Sequence, residues 1–316
     1  SVTVILAAAE PQDRPVREIV LKSGSTHDYT MLRRAALART QPAFPAKELP
    51  PCKLESGSLV IVGGGGMPSE ITAKFIELAG GPEAPIVVFP TANPPVADDG
   101  KSQRREGSFF ERAGAKHVTI LPQRTREEVE SPKFEAAMKN AKGVWFGGGR
   151  QWRFIDCYAG TKAEKLIHDV LARGGVIGGS SAGATIQGDF LVRGSVLGNE
   201  EMMAEGYERG LAFLPGSAID QHFSQRKRFA DMTSVMKRHP QLLGIGIDEA
   251  TAVVVQGDSA QIMGRGSAHF YDYRSHAAAA TSGGSGDVPL ADAPDYIAVK
   301  AGEKFNLVKR EKISGP

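Results

Sequence analysis

The chain has 316 residues, 41% of them hydrophobic and 23% charged, the profile of a globular protein with a sizeable core. Its 38 basic and 36 acidic residues leave a formal charge of +2, too weak a field to hold a polyanion, so neither nucleic acid nor a membrane surface is expected as a partner. Two cysteines, Cys52 and Cys157, stand in unlike contexts that suit neither a disulfide framework nor a zinc site, and no apolar run reaches the roughly 18 residues of a membrane span.

The opening stretch Ser1 to Ala9 reads equally as a short strand or as the tail of a secretory signal, which leaves cytoplasmic and exported (periplasmic or extracellular) locations equally open. Residues 1–57 form a leading segment of weak periodicity, closed by a linker rich in proline at Pro42, Pro45, Pro50 and Pro51. Next comes the apolar run Leu59 to Val62, four glycines from Gly63 to Gly66, and Ile71, Phe75, Leu78 and Ala79 at helical spacing. That order predicts a buried strand, a tight turn and an amphipathic helix. The alternation repeats, with strands expected at 86–89, 117–121, 144–146 and 176–177 and helical stretches containing residues 108–113, 134–138 and 166–171. Strands separated in this way imply right-handed crossovers and an α/β domain over residues 58–257, built on a doubly wound, mostly parallel sheet. Residues 258–316 read as a β-rich C-terminal extension. Short strands are expected at 252–255, 261–263 and 268–271, then a low-complexity loop from His276 to Gly286 and a hairpin-like pair at 296–300 and 305–309. Ligands of such sheets collect at the carboxyl ends of the strands, which directs attention to the turns after Val62, Phe89, Phe146 and Ile177.

The last of these turns reads Gly178-Gly179-Ser180-Ser181-Ala182-Gly183-Ala184, a G-x-S-x-G sequence between a buried strand and a helix. A turn that projects a serine from a strand end needs an unusual backbone, and bulk at position 179 or 183 would collide with it. Ser181 is preferred over Ser180 as a nucleophile, because it alone has glycine at both i−2 and i+2. The backbone N–H of Ala182, at a helix start, is placed to hold a developing oxyanion.

A serine nucleophile needs a base. Among seven histidines, His222 follows a short strand at 217–219, where site residues of a parallel sheet belong, whereas His117 and His168 read as structural. The strand at 243–247 leads into Asp248-Glu249, two carboxylates of which only one can face the imidazole, because side chains alternate along a strand. Spacing alone does not choose between them.

Taken together, these residues resemble the cyanophycinase and dipeptidase E group of serine peptidases, closer to the cyanophycinase side. The resemblance spans roughly residues 58 to 257. It rests on the turn Gly63 to Gly66, Pro90-Thr91-Ala92, Gly147-Gly148-Gly149-Arg150-Gln151, the elbow Gly179 to Gly183, Ile219-Asp220-Gln221-His222-Phe223 with Arg226 and Arg228, and Gly244 to Ala252. It implies a class I glutamine amidotransferase-like, flavodoxin-like fold. It also implies Ser181 as nucleophile, His222 as general base and acid, Glu249 rather than Asp248 as orienter, and a second oxyanion donor at Gly148 or Gly149. Gln151 with Arg150, Asp220, Gln221, Arg226 and Arg228 becomes the expected substrate-binding set, and no metal or organic cofactor is implied.

Two positions depart from the family's pattern: Arg150 stands where relatives commonly carry an acidic residue, and Phe229-Ala230-Asp231 stands where they carry a third basic one. The expected activity is therefore hydrolysis of an amide in aspartyl-containing, β-aspartyl-type peptides, with a partner side chain other than the arginine of cyanophycin. The competing reading is a nucleotide- or phosphate-binding module using the Gly63–Gly66 turn, disfavoured by the missing G-x-G-x-x-G spacing. A symmetric homodimer is the default assembly.

Overall fold

The computed structural model describes residues 4–5, 16–20, 26–28, 34–38, 44–93, 101–274 and 296–314, those before residue 30 and 101–106 by backbone alone. Three short strands, β1 (Val4–Ile5), β2 (Val16–Val20) and β3 (Thr26–Asp28), pair in a small sheet of their own. A short helix α1 (residues 34–38) follows. The opening stretch otherwise lies outside the described residues, as does the loop expected from His276 to Gly286.

The run Leu59 to Val62 becomes β4 (Ser58–Val62), buried along its whole length. It pairs in parallel with β8 (Val176–Ser180), which is followed by β7 (Gly143–Phe146), β5 (Ile86–Phe89) and β6 (Val118–Ile120) in the order β4-β8-β7-β5-β6. All but the half-buried edge strand β6 are buried along nearly their whole length because both faces are covered. Leu59 and Ile61 enter one core cluster while Val60 and Val62 enter another, the alternation that a period of two dictates. Helix α2 (Ser69–Ala79) closes the second cluster with Ile71, Phe75 and Ile76 and ends where Gly80 turns left-handed at φ 109. Each of those side chains contributes on the order of 1.5–3 kcal/mol by its burial. Helix α3 (Lys101–Arg112) lies on the same face through Phe110, while α4 (Arg126–Val129), α5 (Pro132–Lys139), α6 (Gln151–Tyr158) and α7 (Lys162–Ala172) supply Val129, Phe134, Phe154 and Ile167 to the other. The result is the doubly wound α/β fold.

Beyond the elbow helix α8 (Ala182–Thr185), the alternation continues into a different layer. Strands β9 (Gly188–Phe190), β10 (Leu214–Asp220) and β11 (Leu243–Ile247) run parallel to one another in a second, five-stranded sheet, with α9 (Phe229–Arg238) between the last two. The chain then returns, and β12 (Thr251–Gln256) lies antiparallel against β4, extended by β13 (Ser259–Gly264). Strand β14 (Ser267–Asp272) pairs with β11.

The hairpin-like pair expected at 296–300 and 305–309 does not form. Strand β15 (Ile297–Lys300) pairs with β14, whereas β16 (Lys304–Asn306) pairs with β13 and with β17 (Glu311–Ile313), so the two segments belong to different sheets. Each found a longer-range edge with free backbone donors and acceptors, which a local pattern does not reveal.

Candidate active site

The elbow is built by local sterics. Ser181 has φ 56 and ψ −112, a conformation that costs a non-glycine residue roughly 1–3 kcal/mol and persists only where its surroundings fix it. A Cβ at position 179 would fall 2.3 Å from the Gly183 carbonyl oxygen, and one at 183 would fall 2.1 Å from that of Phe146. The flanking glycines are what let the chain turn this tightly. Ser180 remains in strand register opposite Val62, while Ser181 is half-exposed beyond it.

Three loops meet at the end of β4. The Ser181 N–H donates to the Val62 carbonyl (3.0 Å), the His222 N–H to that of Gly63 (2.8 Å) and the Ala250 N–H to that of Gly64 (2.7 Å). This brings Ser181 Oγ to 3.0 Å from His222 Nε2, and His222 Nδ1 to 2.5 Å from Glu249 Oε1. With a carboxylate facing Nδ1, that nitrogen carries the proton and Nε2 accepts from the serine hydroxyl. Burial, set against the Glu249 hydrogen bond and reinforced by the charges of Arg226 and Arg228, holds the imidazole below its usual pKa. It is therefore neutral at pH 7. A hydroxyl bonded to a neutral, oriented imidazole can be deprotonated as it attacks an acyl carbon.

Asp248 faces away from this chain of bonds. It accepts from the N–H groups of Ser224 and Ser267 (3.1 Å each) and lies 3.4 Å from His269 Nε2. Burial alone would raise its pKa, but the hydrogen bonds from His269, Ser224 and Ser267 take it down to about 2. Ser224 Oγ also meets His269 Nε2 at 3.3 Å. The Asp248 side chain thus pins the loop after His222 to the end of β11.

The candidate oxyanion donors lie on either side of the elbow. Ala182 opens α8, and a Cβ built on Gly148 would stand 3.6 Å from that of Ser181. Gly149, at φ 137, rests against the strand end at residue 92, where a Cβ would be 2.4 Å from the Ala92 carbonyl oxygen. Gly147 N–H, bonded to the Phe89 carbonyl at 3.0 Å, anchors the turn to β5.

The expected substrate-binding residues divide into two groups. Asp220 is wholly buried between Arg193 Nε (3.0 Å) and Arg228 Nη1 (2.8 Å), and Arg193 reaches on to Asp231 (2.6 Å). Asp220 and Arg228 are thus engaged in an internal charge network, and the unusual Asp231 is there to complete it. Gln151 is buried with Nε2 donating to the Val192 carbonyl (3.2 Å), and Gln221 is buried beside His222, its Oε1 without a hydrogen-bond partner among the described residues. Arg226 is exposed, and half-buried Arg150 donates to the Ser195 carbonyl (2.7 Å). Sequence reasoning missed Arg193, which sits in an irregular loop at φ 56 with no motif around it. The first glycine turn, the site of the disfavoured phosphate-binding alternative, serves another purpose. A Cβ on Gly64 would lie 2.4 Å from His222 Cε1, and one on Gly65 would lie 2.3 Å from Glu249 Oε2. The space a phosphate would need there is filled by the imidazole and the carboxylate. His117 pairs with Glu83 at the surface, and His168 bonds to the Leu211 carbonyl. Among the described residues, no group of three His, Cys, Asp or Glu side chains is disposed to hold a metal ion, and no helix is long and apolar enough to cross a membrane.

Comparison with known proteins places this geometry in context. The family model for peptidase family S51 matches residues 58–263. A cyanophycinase of Geminocystis herdmanii is 33% identical over 208 residues, covering 64% of this chain and 75% of its own length. Cyanophycinases of a Nostoc species and of Trichormus variabilis are each 34% identical over 209 residues, covering 64% of this chain and 68% of theirs. The crystal structure of a peptidase from an acI-B1 Actinobacterium superposes with a TM-score of 0.60 over 81% of this chain and 98% of its own, at 21% identity, a likeness of fold.

Proposed function

Because the chain belongs to peptidase family S51 and is a serine-type hydrolase, we propose that Ser181, His222 and Glu249 carry out its amide hydrolysis on aspartyl-containing, β-aspartyl-type peptides. The observation that carries the assignment is the unbroken sequence of hydrogen bonds from Ser181 Oγ through the imidazole to Glu249. As Oγ attacks the amide carbonyl, His222 Nε2 takes its proton, and Glu249 stabilises the imidazolium that results. The N–H of Ala182, paired with one from Gly148 or Gly149, holds the oxyanion. His222 then passes its proton to the leaving amine, which departs and leaves an ester on Ser181. Water, deprotonated by the same imidazole, attacks that ester and frees the enzyme.

The substrate class follows from relatives named for cyanophycin cleavage, modified by the chain's own departures. With Arg150 in place of an acidic residue and Asp231 drawn into the network around Arg193, the acyl-transfer machinery is kept, while the pocket is less suited to a guanidinium. Peptide-library digestion with mass-spectrometric identification of the cleaved bonds tests the reading, alongside phosphonate labelling of Ser181 and the inactivity of Ser181→Ala. Efficient release of β-aspartyl-arginine from cyanophycin would refute the altered specificity, and unlabelled Ser181 with undiminished activity in the alanine variant would refute the mechanism.

A further inference from the structure

The guanidinium groups of Arg124 and Arg153 meet at the turn after β5, beside the elbow, and that of Arg150, whose backbone is bonded to the same turn, reaches across to the Ser195 loop. Arg124 donates through Nη1 to the Thr91 carbonyl (3.0 Å) and to that of Asn93. Arg153 donates through Nη1 to the Ala92 carbonyl (3.0 Å), which also accepts the Arg150 N–H (2.9 Å), while Arg150 Nη2 reaches the Ser195 carbonyl (2.7 Å). All three are half-buried. A guanidinium offers five N–H donors, and these bonds use one each from the side chains of Arg150 and Arg153. Among the described residues, no carboxylate forms an ion pair with either. Burial first, then repulsion from Arg124 and Arg150, loosens the proton of Arg153, so the three positive charges lie close enough to repel one another.

Holding carbonyls explains how these side chains are oriented. It does not explain the charges of Arg150 and Arg153, since a neutral amide would cap a carbonyl without desolvating a cation. Their position suggests what the charge is for. Arg150 follows directly on the glycine turn, whose Gly148 lies against Ser181. An anion held by these arginines would therefore be on a molecule whose carbonyl reaches the nucleophile.

We propose that Arg150, Arg153 and Arg124 form a subsite for a substrate carboxylate, so that the enzyme selects peptides with an acidic group next to the scissile amide, where cyanophycin presents an arginine. This rests on the hydrolase reading above. Guanidinium–carboxylate pairs bind bidentately and are the stronger class of hydrogen bond. The carboxylate can come from an acidic side chain or from a free carboxyl terminus, and one substrate set separates them: β-aspartyl-glutamate and β-aspartyl-glutamine, each as free acid and as carboxyl-terminal amide.

Wild-type kcat/KM should favour the member carrying the recognised carboxylate over its neutral isostere by about 10- to 100-fold. A preference tied to glutamate identifies the side chain, and one tied to the free acid identifies the terminus. Arg150→Gln and Arg153→Gln, assayed separately because Arg150 also tethers the loop at Ser195, should each bring that ratio toward one. A flat wild-type preference, or variants that lose rate on all four substrates in proportion, would overturn the subsite while leaving the hydrolase standing. Absence of any cleavage together with unlabelled Ser181 would instead remove the hydrolase reading and the subsite with it.

Discussion

Replacing Gly64 by alanine probes whether the end of β4 sets the distance between serine and imidazole. The new methyl would stand 2.4 Å from His222 Cε1 and 2.6 Å from Nε2, against an ordinary contact of at least 3.4 Å. The imidazole must retreat by about 1 Å, because Gly64 itself is fixed through its carbonyl to Ala250. A displacement of that size breaks a 3.0 Å hydrogen bond to Ser181, and misplacing a reacting group by 1 Å costs about 100-fold in rate. Gly64 also has φ 93, so alanine adds backbone strain of roughly 1–3 kcal/mol. Gly66→Ala separates the two effects. Gly66 has φ 130, and a Cβ there meets nothing within 4 Å, so it brings strain without displacing the imidazole. Steady-state kinetics, thermal melting and the rate of phosphonate labelling should show Gly64→Ala losing kcat by about 100-fold or more with slower labelling, and Gly66→Ala losing stability with its kcat largely kept. Equal kcat in the two variants, or full activity in Gly64→Ala, would show that the first glycine turn does not position the base.

The pH dependence of kcat/KM should have an acid limb below the usual imidazole value of 6.5, because burial holds His222 down and the base must be neutral to act; activity is lost as pH falls through that limb, and a limb above 6.5 would contradict the geometry. Glu249→Gln removes the charge and the charge-assisted hydrogen bond that raise the imidazole pKa, and its amide N–H can face Nδ1 instead, so the limb should move further to acid while kcat falls roughly 1,000-fold or more from loss of the correct tautomer. A limb that moves to higher pH would count against the pairing. Asp248 titrates at about 2 when folded, against 3.8 for a free side chain, so it contributes about 2 kcal/mol of stability. Since the folded value is the depressed one, that stability is present above pH 3.8 and lost as pH falls toward 2; denaturant titrations of Asp248→Asn and the parent should differ at pH 6 and converge near pH 2. Arg193→Ala leaves Asp220 buried with Arg228 alone and should cost about 3–5 kcal/mol in unfolding free energy, which a change below 1 kcal/mol would refute.

What could be read in the sequence was what local sterics or strand ends dictate. Gly179 and Gly183 advertise the elbow because their constraints come from residues within one turn and from the adjoining strand. Strands β4, β5, β7 and β8 were legible because burial on both faces leaves continuous apolar runs. Spacing could not choose between Asp248 and Glu249, which only the family resemblance did, since the choice depends on which side chain meets Ser224 and Ser267 and which meets His222, contacts that cross from β11 to two other segments. Membership of the second sheet was hidden for a related reason. β10 and β11 carry the same strand and helix alternation as the main sheet, and periodicity records that a strand is buried, not which strand it pairs with. Asp220 and Arg228 were expected at the substrate from the resemblance and their charge; that they pair with each other, with Arg193 on the other side of Asp220, was not foreseen.

The meeting of the two sheets also explains why the first glycine turn is as demanding as the elbow. β4 belongs to the nine-stranded sheet, whereas His222 follows β10 and Glu249 follows β11 of the five-stranded one. The hydrogen bonds from His222 N–H to Gly63 and from Ala250 N–H to Gly64 are therefore bridges between layers, and the serine, fixed to Val62, sits on the opposite side of the same joint. Side chains at positions 64 and 65 would wedge that joint open against the imidazole and the carboxylate. Absence of a side chain here acts as a spacer of fixed thickness, which lets a relay assembled from two sheets keep hydrogen-bond distances that neither sheet could hold by itself.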